Sequence, residues 1–229
     1  MNSLFESSFY FLSVLLLVPL WVLIYFRRKD LQKKLIRTGF IFGIASVILG
    51  QFFTQDYWNP TYLISSKFPF EDFLYGIFFG GITTVIYQFI FGVKFCKTAK
   101  ASSRKTTLIL GGICILIMFV MVNILNINSI YGQILCLIVV AIYIIIKRPD
   151  LLKHMVISGF VVSVFTFLWQ ECVLAIYPDA VNKYWEMDSL QNIFFLGVPA
   201  EELLFAFAIG LSGALYFEFS RGFTHNKSA

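Results

Sequence analysis

Apolar residues fall in seven long runs, at 8–26, 35–53, 69–93, 106–125, 129–146, 155–177 and 199–220. Each is close to the ~20 residues that a helix needs to cross the hydrocarbon core of a bilayer. Only Asn126, Asn128 and their neighbours divide the fourth run from the fifth. The pattern predicts an all-α membrane protein with seven transmembrane helices. The apolar segment 188–198 is too short to span and reads as an interfacial or re-entrant helix.

The runs repeat. The first leads into Arg27-Arg28-Lys29-Asp30-Leu31, and 120 residues later the chain reads Lys147-Arg148-Pro149-Asp150-Leu151. Lys33, Leu35, Ile36, Thr38, Gly39 and Phe40 keep the same register with Lys153, Met155, Val156, Ser158, Gly159 and Phe160. Gln51 falls opposite Glu171, or opposite Gln170 with a shift of one residue. Outer loops follow at 54–68 and 178–198, and the offset then becomes 130. Pro69, Glu71, Asp72, Leu74, Gly80, Phe89 and Gly92 match Pro199, Glu201, Glu202, Leu204, Gly210, Phe219 and Gly222. The predicted organisation is a three-helix repeat at 1–93, a connecting segment with the fourth helix at 94–128, and a second three-helix repeat at 129–229. One connecting span makes the repeats parallel, related by an approximate two-fold along the membrane normal, with the site expected between them.

Composition agrees: 59% hydrophobic and 14% charged residues leave too little polar surface for a soluble domain of 229 residues. The basic residues add an orientation. Of 18 Lys and Arg, six lie in 27–37, five in 94–105, three in 147–153, and Arg221 and Lys227 follow the last run. Seven spans put all of these on one side and only Lys67 and Lys183 on the other. The positive-inside rule then places the N-terminus outside and the C-terminus in the cytoplasm of a multi-pass cell-membrane protein. The net charge of +5 is explained by topology and anionic lipid and implies no nucleic-acid partner. The first run does not read as a cleaved signal: Glu6 rather than a basic residue precedes it, and no small-residue cleavage site follows. Cys96, Cys114, Cys136 and Cys172 are scattered, with no C-x-x-C pair, and read as packing residues.

The candidate chemistry lies in two acidic phrases, Pro69-Phe70-Glu71-Asp72-Phe73-Leu74-Tyr75 and Pro199-Ala200-Glu201-Glu202-Leu203-Leu204-Phe205. Ionisable groups in a bilayer are costly and usually functional. Each proline suits a first helical turn, which puts the carboxylates near the outer membrane face. Adjacent helical residues point about 100° apart, so a carboxylate pair is expected across the two-fold, one from each phrase. Two carboxylates sharing a site resist double ionisation, which leaves an acid beside a base. Glu171 and Gln51 fall near the same end. Phe73, Tyr75, Phe205, Trp58 and Trp169 are the nearest aromatic candidates, since rings stabilise a cation without attacking it. Against this, phenylalanine is 27 of 229 residues, so most rings simply pack or face lipid. The bland alternative for the carboxylates is an interfacial cap or a structural hydrogen-bond network, against which stands their recurrence in both halves. No G-x-G-x-x-G or P-loop is present, so no nucleotide fingerprint exists. His154 and His225 fall at the opposite end, which argues against a histidine metal centre or Ser-His-Asp chemistry at the acidic phrases. The last run has no lysine for a Schiff base.

Pro-x-Glu-Glu before a Leu/Phe-rich helix, occurring twice, resembles the integral-membrane carotenoid (lycopene) cyclases of the fused, two-repeat type. The second phrase is the closer. The first carries Asp72 where a second Glu is usual and Tyr75 where Phe is usual. Asp56 and Trp58 resemble an outer-loop Asp/Trp feature of that family. The resemblance covers both halves and implies acid-catalysed, non-redox cyclisation of a linear carotene such as lycopene. It implies Glu71, Asp72, Glu201 and Glu202 as catalytic candidates, with Glu171 next. It also implies a lipophilic polyene substrate and no cofactor or metal. Two alternatives stay open. Glu201-Glu202-Leu203-Leu204-Phe205 also resembles the Glu-Glu phrase of intramembrane proteases, but lacks their following Arg and membrane-depth histidines. A carrier of a lipophilic or ion-coupled substrate would suit repeats and intramembrane acids.

Overall fold

A computed structural model describes residues 8–63, 68–97 and 101–225. Glu6, Lys67, Lys100 and Lys227, used above for topology, lie outside the described residues, as does 64–67 of the first outer loop.

Seven helices among the described residues are long and apolar enough to cross a membrane: Phe9–Arg27, Gln32–Asp56, Phe70–Phe91, Lys105–Ile124, Ser129–Lys147, Pro149–Ile176 and Ala200–Arg221. They are called spans one to seven. Their bounds follow the apolar runs closely except at the start of span six, six residues earlier than expected. There a bidentate Arg148–Asp150 pair (2.7 Å for both bonds) closes a 3₁₀ turn at Pro149–Leu151 that leads into the helix. The equivalent Arg28–Asp30 pair (2.9 and 2.8 Å) stands 120 residues earlier, before span two.

The chain packs as two units: Met1–Ile82 with Phe165–Glu202, and Thr83–Val164 with Leu203–Ala229. In the first unit, glycines bring spans two and three into close contact. A Cβ on Gly39 would lie 2.6 Å from the Ile77 carbonyl oxygen, and one on Gly76 would lie 2.5 Å from the Gly43 Cα. The second unit holds the corresponding contact of spans six and seven. A Cβ on Gly159 would lie 2.8 Å from the Phe207 ring, and one on Gly210 would lie 2.5 Å from the Ser158 carbonyl oxygen. Gly39 and Gly159, Ile77 and Phe207 are repeat partners. Small residues at such crossings let helix backbones approach where lipid gives no hydrophobic drive.

Spans three and seven each contain a wide π-helical turn after the acidic phrase, at Gly76–Gly80 and Ile209–Gly213. Such turns recur at functional sites. In the second unit, strand β1 (Phe95–Lys97) pairs antiparallel with β4 (Phe223–His225), and the Arg148 guanidinium donates to the Phe223 carbonyl at 2.9 Å.

The segment 188–198 is not a helix. A 3₁₀ turn at Met187–Ser189 is followed by a hairpin of β2 (Phe194–Phe195) and β3 (Val198–Pro199). Its two-residue turn has φ of 50° at Leu196 and 95° at Gly197. Positive φ at both central residues matches the twist of a tight hairpin and works against helix. Pro199 ends β3 and precedes the helix rather than sitting within its first turn.

Candidate acidic site

All four phrase carboxylates belong to the first unit. Glu71 and Asp72 occupy the first turn of span three, and Glu201 and Glu202 the first turn of span seven. A helix N-terminus offers unpaired N–H groups and a favourable dipole to such groups. Glu71 and Glu201 are buried, at 0% and 2% exposure.

The second acid of each phrase is gripped by side chains from elsewhere. Asp72 accepts the Tyr10 hydroxyl at 2.8 Å on one oxygen and the Tyr62 hydroxyl at 3.0 Å on the other. Gly50 of span two makes room, since a Cβ there would lie 2.9 Å from Asp72 Oδ2. Glu202 accepts three donors: the Tyr57 hydroxyl and Trp185 Nε1 (3.0 Å) on Oε1, and Gln170 Nε2 (2.9 Å) on Oε2. Burial, and then the neighbouring Glu202, pushes the Tyr57 hydroxyl well above its ordinary value. Burial followed by Asp72 does the same for Tyr62. Both hydroxyls therefore stay neutral and remain donors. Glu201 Oε1 accepts the backbone N–H of Gln191 at 2.9 Å, which ties the hairpin loop to the helix start.

The donors to Glu202 are held by a link between the two outer loops. Trp58 and Trp185 form an antiparallel bridge. The Asn59 N–H donates to the Tyr184 carbonyl at 2.8 Å, and the Glu186 N–H to the Tyr57 carbonyl at 3.0 Å. This fixes Tyr57 and Trp185 side by side over the same carboxylate.

Rings close the space around them. Phe9 stacks on Tyr184 at 4.3 Å, and Trp58 meets Tyr10 at 5.6 Å and Trp185 at 4.1 Å. Tyr75 stacks on Phe79 at 4.9 Å and lies 5.9 Å from Trp169. The Trp169 indole donates to the Ser13 carbonyl of span one at 3.0 Å. Tyr75 lies within electrostatic reach of both Glu202 and Asp72.

Of the sequence candidates, Glu71, Asp72, Phe73, Tyr75, Trp58, Trp169, Glu171, Glu201 and Glu202 fall in this one unit. Glu171 neighbours Gln170, but its buried Oε1 makes no hydrogen bond among the described residues. Gln51 is exposed, and its backbone carbonyl accepts the Gln55 side chain. Phe73 packs away from the acids, against Phe40 (5.7 Å) and Phe68 (5.9 Å). Phe205 belongs to the second unit. So does His154, whose Nδ1 lies 2.7 Å from the Tyr87 hydroxyl. Tyr10, Tyr57, Tyr62 and Trp185 escaped the sequence reading, and Gln170 appeared only as a shifted register. One signal was available: Tyr57-Trp58 recurs as Tyr184-Trp185. Among the described residues, no three His, Cys, Asp or Glu side chains are grouped to hold a metal ion.

The arrangement can present carboxyl groups to an apolar guest, hold opposite charge beside a developing cation, and wall that cation with rings. A sequence model described as lycopene cyclase matches residues 7–91 and 128–220. These segments contain both acidic phrases. No curated relative and no solved structure matches the chain.

Proposed function

The chain belongs to the lycopene cyclase family, and from that premise we propose that it closes the end group of a linear carotene such as lycopene by acid catalysis, without redox change. A carboxylic acid gives its proton to the terminal double bond. The tertiary cation is attacked by the neighbouring double bond, forming the ring C–C bond and moving the charge onto the ring. A carboxylate removes a proton from a different carbon and restores an alkene. Substrate and product are isomers, so the step needs no electron donor or acceptor.

The observation that carries this reading is the contrast between neighbours in the second phrase. Three donors converge on Glu202, and a carboxylate, an acceptor-only group, suits such a set. In this reading Glu202 supplies negative charge to the cation or takes the final proton. Glu201, beside it and buried, with the Gln191 N–H on one oxygen, gives the first. Asp72, held by Tyr10 and Tyr62, is the corresponding acceptor of the first phrase, next to Glu71. Trp58, Trp185, Tyr75 and Trp169 wall the cation. The parallel repeats at 1–93 and 129–229, joined through 94–128, belong to the same proposal, as does an external N-terminus.

Expression in a lycopene-accumulating bacterium tests it. Chromatography of the pigments should show a cyclic carotene. Lycopene left unchanged, with the protein present in the membrane, would contradict the assignment. Glu201→Gln keeps size and hydrogen bonding but removes the titrating proton. It should lower the rate by about 10² to 10⁴.

A further inference from the structure

The hairpin before the second acidic phrase exposes four consecutive large apolar residues: Ile193, Phe194, Phe195 and Leu196. Leu196, at the turn, is 82% exposed. A loop facing water would not carry such a run, because contiguous exposed apolar surface marks an interaction site. Part of the hairpin backbone is paired internally: Phe194 stands opposite Pro199 and Phe195 opposite Val198, and the Ala200 N–H donates to the Ile193 carbonyl at 2.9 Å. Its tip can therefore leave water without stranding those groups.

Two features fix the depth of the tip. It is four residues from Ala200, where span seven begins, so it lies no more than about 14 Å from that start along the chain. A Cβ on Gly197 would stand 3.5 Å from the Leu174 side chain, in the last turn of span six. The tip thus lies level with the end of a membrane span. The surface it continues is the lipid-facing surface of that helix, where Ile176 is also exposed.

We propose that Phe194, Phe195 and Leu196 are inserted into the bilayer leaflet at the acidic ends of the spans, and that the hairpin is the door through which the polyene end group passes from lipid to the carboxylates. The second half rests on the cyclase reading. The Gln191 N–H bond to Glu201 joins the base of this door to the acidic helix start. A guest displacing the tip moves against a loop anchored at the carboxylate itself.

The test uses the full chain in phosphatidylcholine–phosphatidylglycerol vesicles. Leu196→Cys is labelled with an environment-sensitive nitrobenzoxadiazole dye, with Cys96→Ala, Cys114→Ala, Cys136→Ala and Cys172→Ala in place. Blue-shifted emission, quenched by nitroxide carried on lipid chains and protected from iodide, is expected. Water-like emission quenched by iodide would overturn insertion, whether or not the protein cyclises anything. The door is tested with Phe195→Ser/Leu196→Ser on vesicle-borne lycopene. We expect KM to rise about tenfold with kcat within twofold of the unaltered chain. An unchanged KM, or a fall confined to kcat, would overturn the door. Absence of cyclisation by the unaltered chain would overturn the cyclase reading and the door with it, leaving insertion to the fluorescence result.

Discussion

Trp58 and Trp185 are directly opposed partners in an antiparallel bridge, their ring centroids 4.1 Å apart. Each follows a tyrosine, and the flanking hydrogen bonds are reciprocal: 59 to 184 and 186 to 57. The two outer loops therefore meet through equivalent residues, as a local two-fold requires. The pair lies between the flanking bonds, where opposed Cα atoms approach to about 4.5 Å, within disulfide range. Trp58→Cys/Trp185→Cys should cross-link under mild oxidation. A proteolytic cut between the loops would then leave the fragments joined on a non-reducing gel. Separate fragments, with both thiols open to maleimide, would contradict the bridge.

The donors to Asp72 and Glu202 should matter through chemistry rather than folding. Tyr57→Phe removes one donor from Glu202, and Tyr62→Phe one from Asp72. A hydrogen bond to a charged group contributes about 1.5–3 kcal/mol. Either change should slow cyclisation about tenfold to a hundredfold while membrane accumulation stays near normal. Pigment ratios against protein level measure this, and unchanged ratios for both would remove the donor set from the mechanism.

Much of this fold was legible because the bilayer imposes long apolar runs. Repeat partners such as Arg28 and Arg148, or Gly39 and Gly159, also keep fixed spacing. The acidic phrases were legible as charge in the wrong solvent. Their donors were not, because Tyr10, Tyr57 and Tyr62 come from segments whose own pattern gives no reason to face a carboxylate. The Tyr-Trp doublet was hidden by an offset of 127, between the 120 and 130 of the flanking repeats. Segment 188–198 was misread because periodicity cannot separate a short apolar strand from a helix; the positive φ at Leu196 and Gly197 decided it. The π turns carry no sequence signature.

Close helix crossings predict a graded response to added methyl groups. Gly76→Ala and Gly210→Ala would each press a Cβ into the backbone of a neighbouring span. Overpacking of this kind costs about 1–3 kcal/mol, and membrane yield and thermal stability should fall. Gly111→Ala and Gly112→Ala meet nothing within 4 Å and should behave as the unaltered chain. Equal behaviour of all four would contradict the crossings.

Orientation can be read from reporter fusions. Chains ending at Arg148 and at Lys183 should place a C-terminal reporter in the cytoplasm and outside, respectively. The same side for both would break the seven-span order, and the reverse assignment would overturn the positive-inside reading.

The central claim is proton-initiated, non-redox ring closure, and its most direct measurement is isotopic. Purified protein in vesicles made with D₂O should convert lycopene into a cyclic product carrying one deuteron for each ring closed. The proton lost leaves from a different carbon than the one protonated, so the label stays. Made in H₂O, the product should have the same mass as lycopene. A cyclic product without deuterium, or one whose H₂O mass differs from that of lycopene, would contradict acid-catalysed isomerisation.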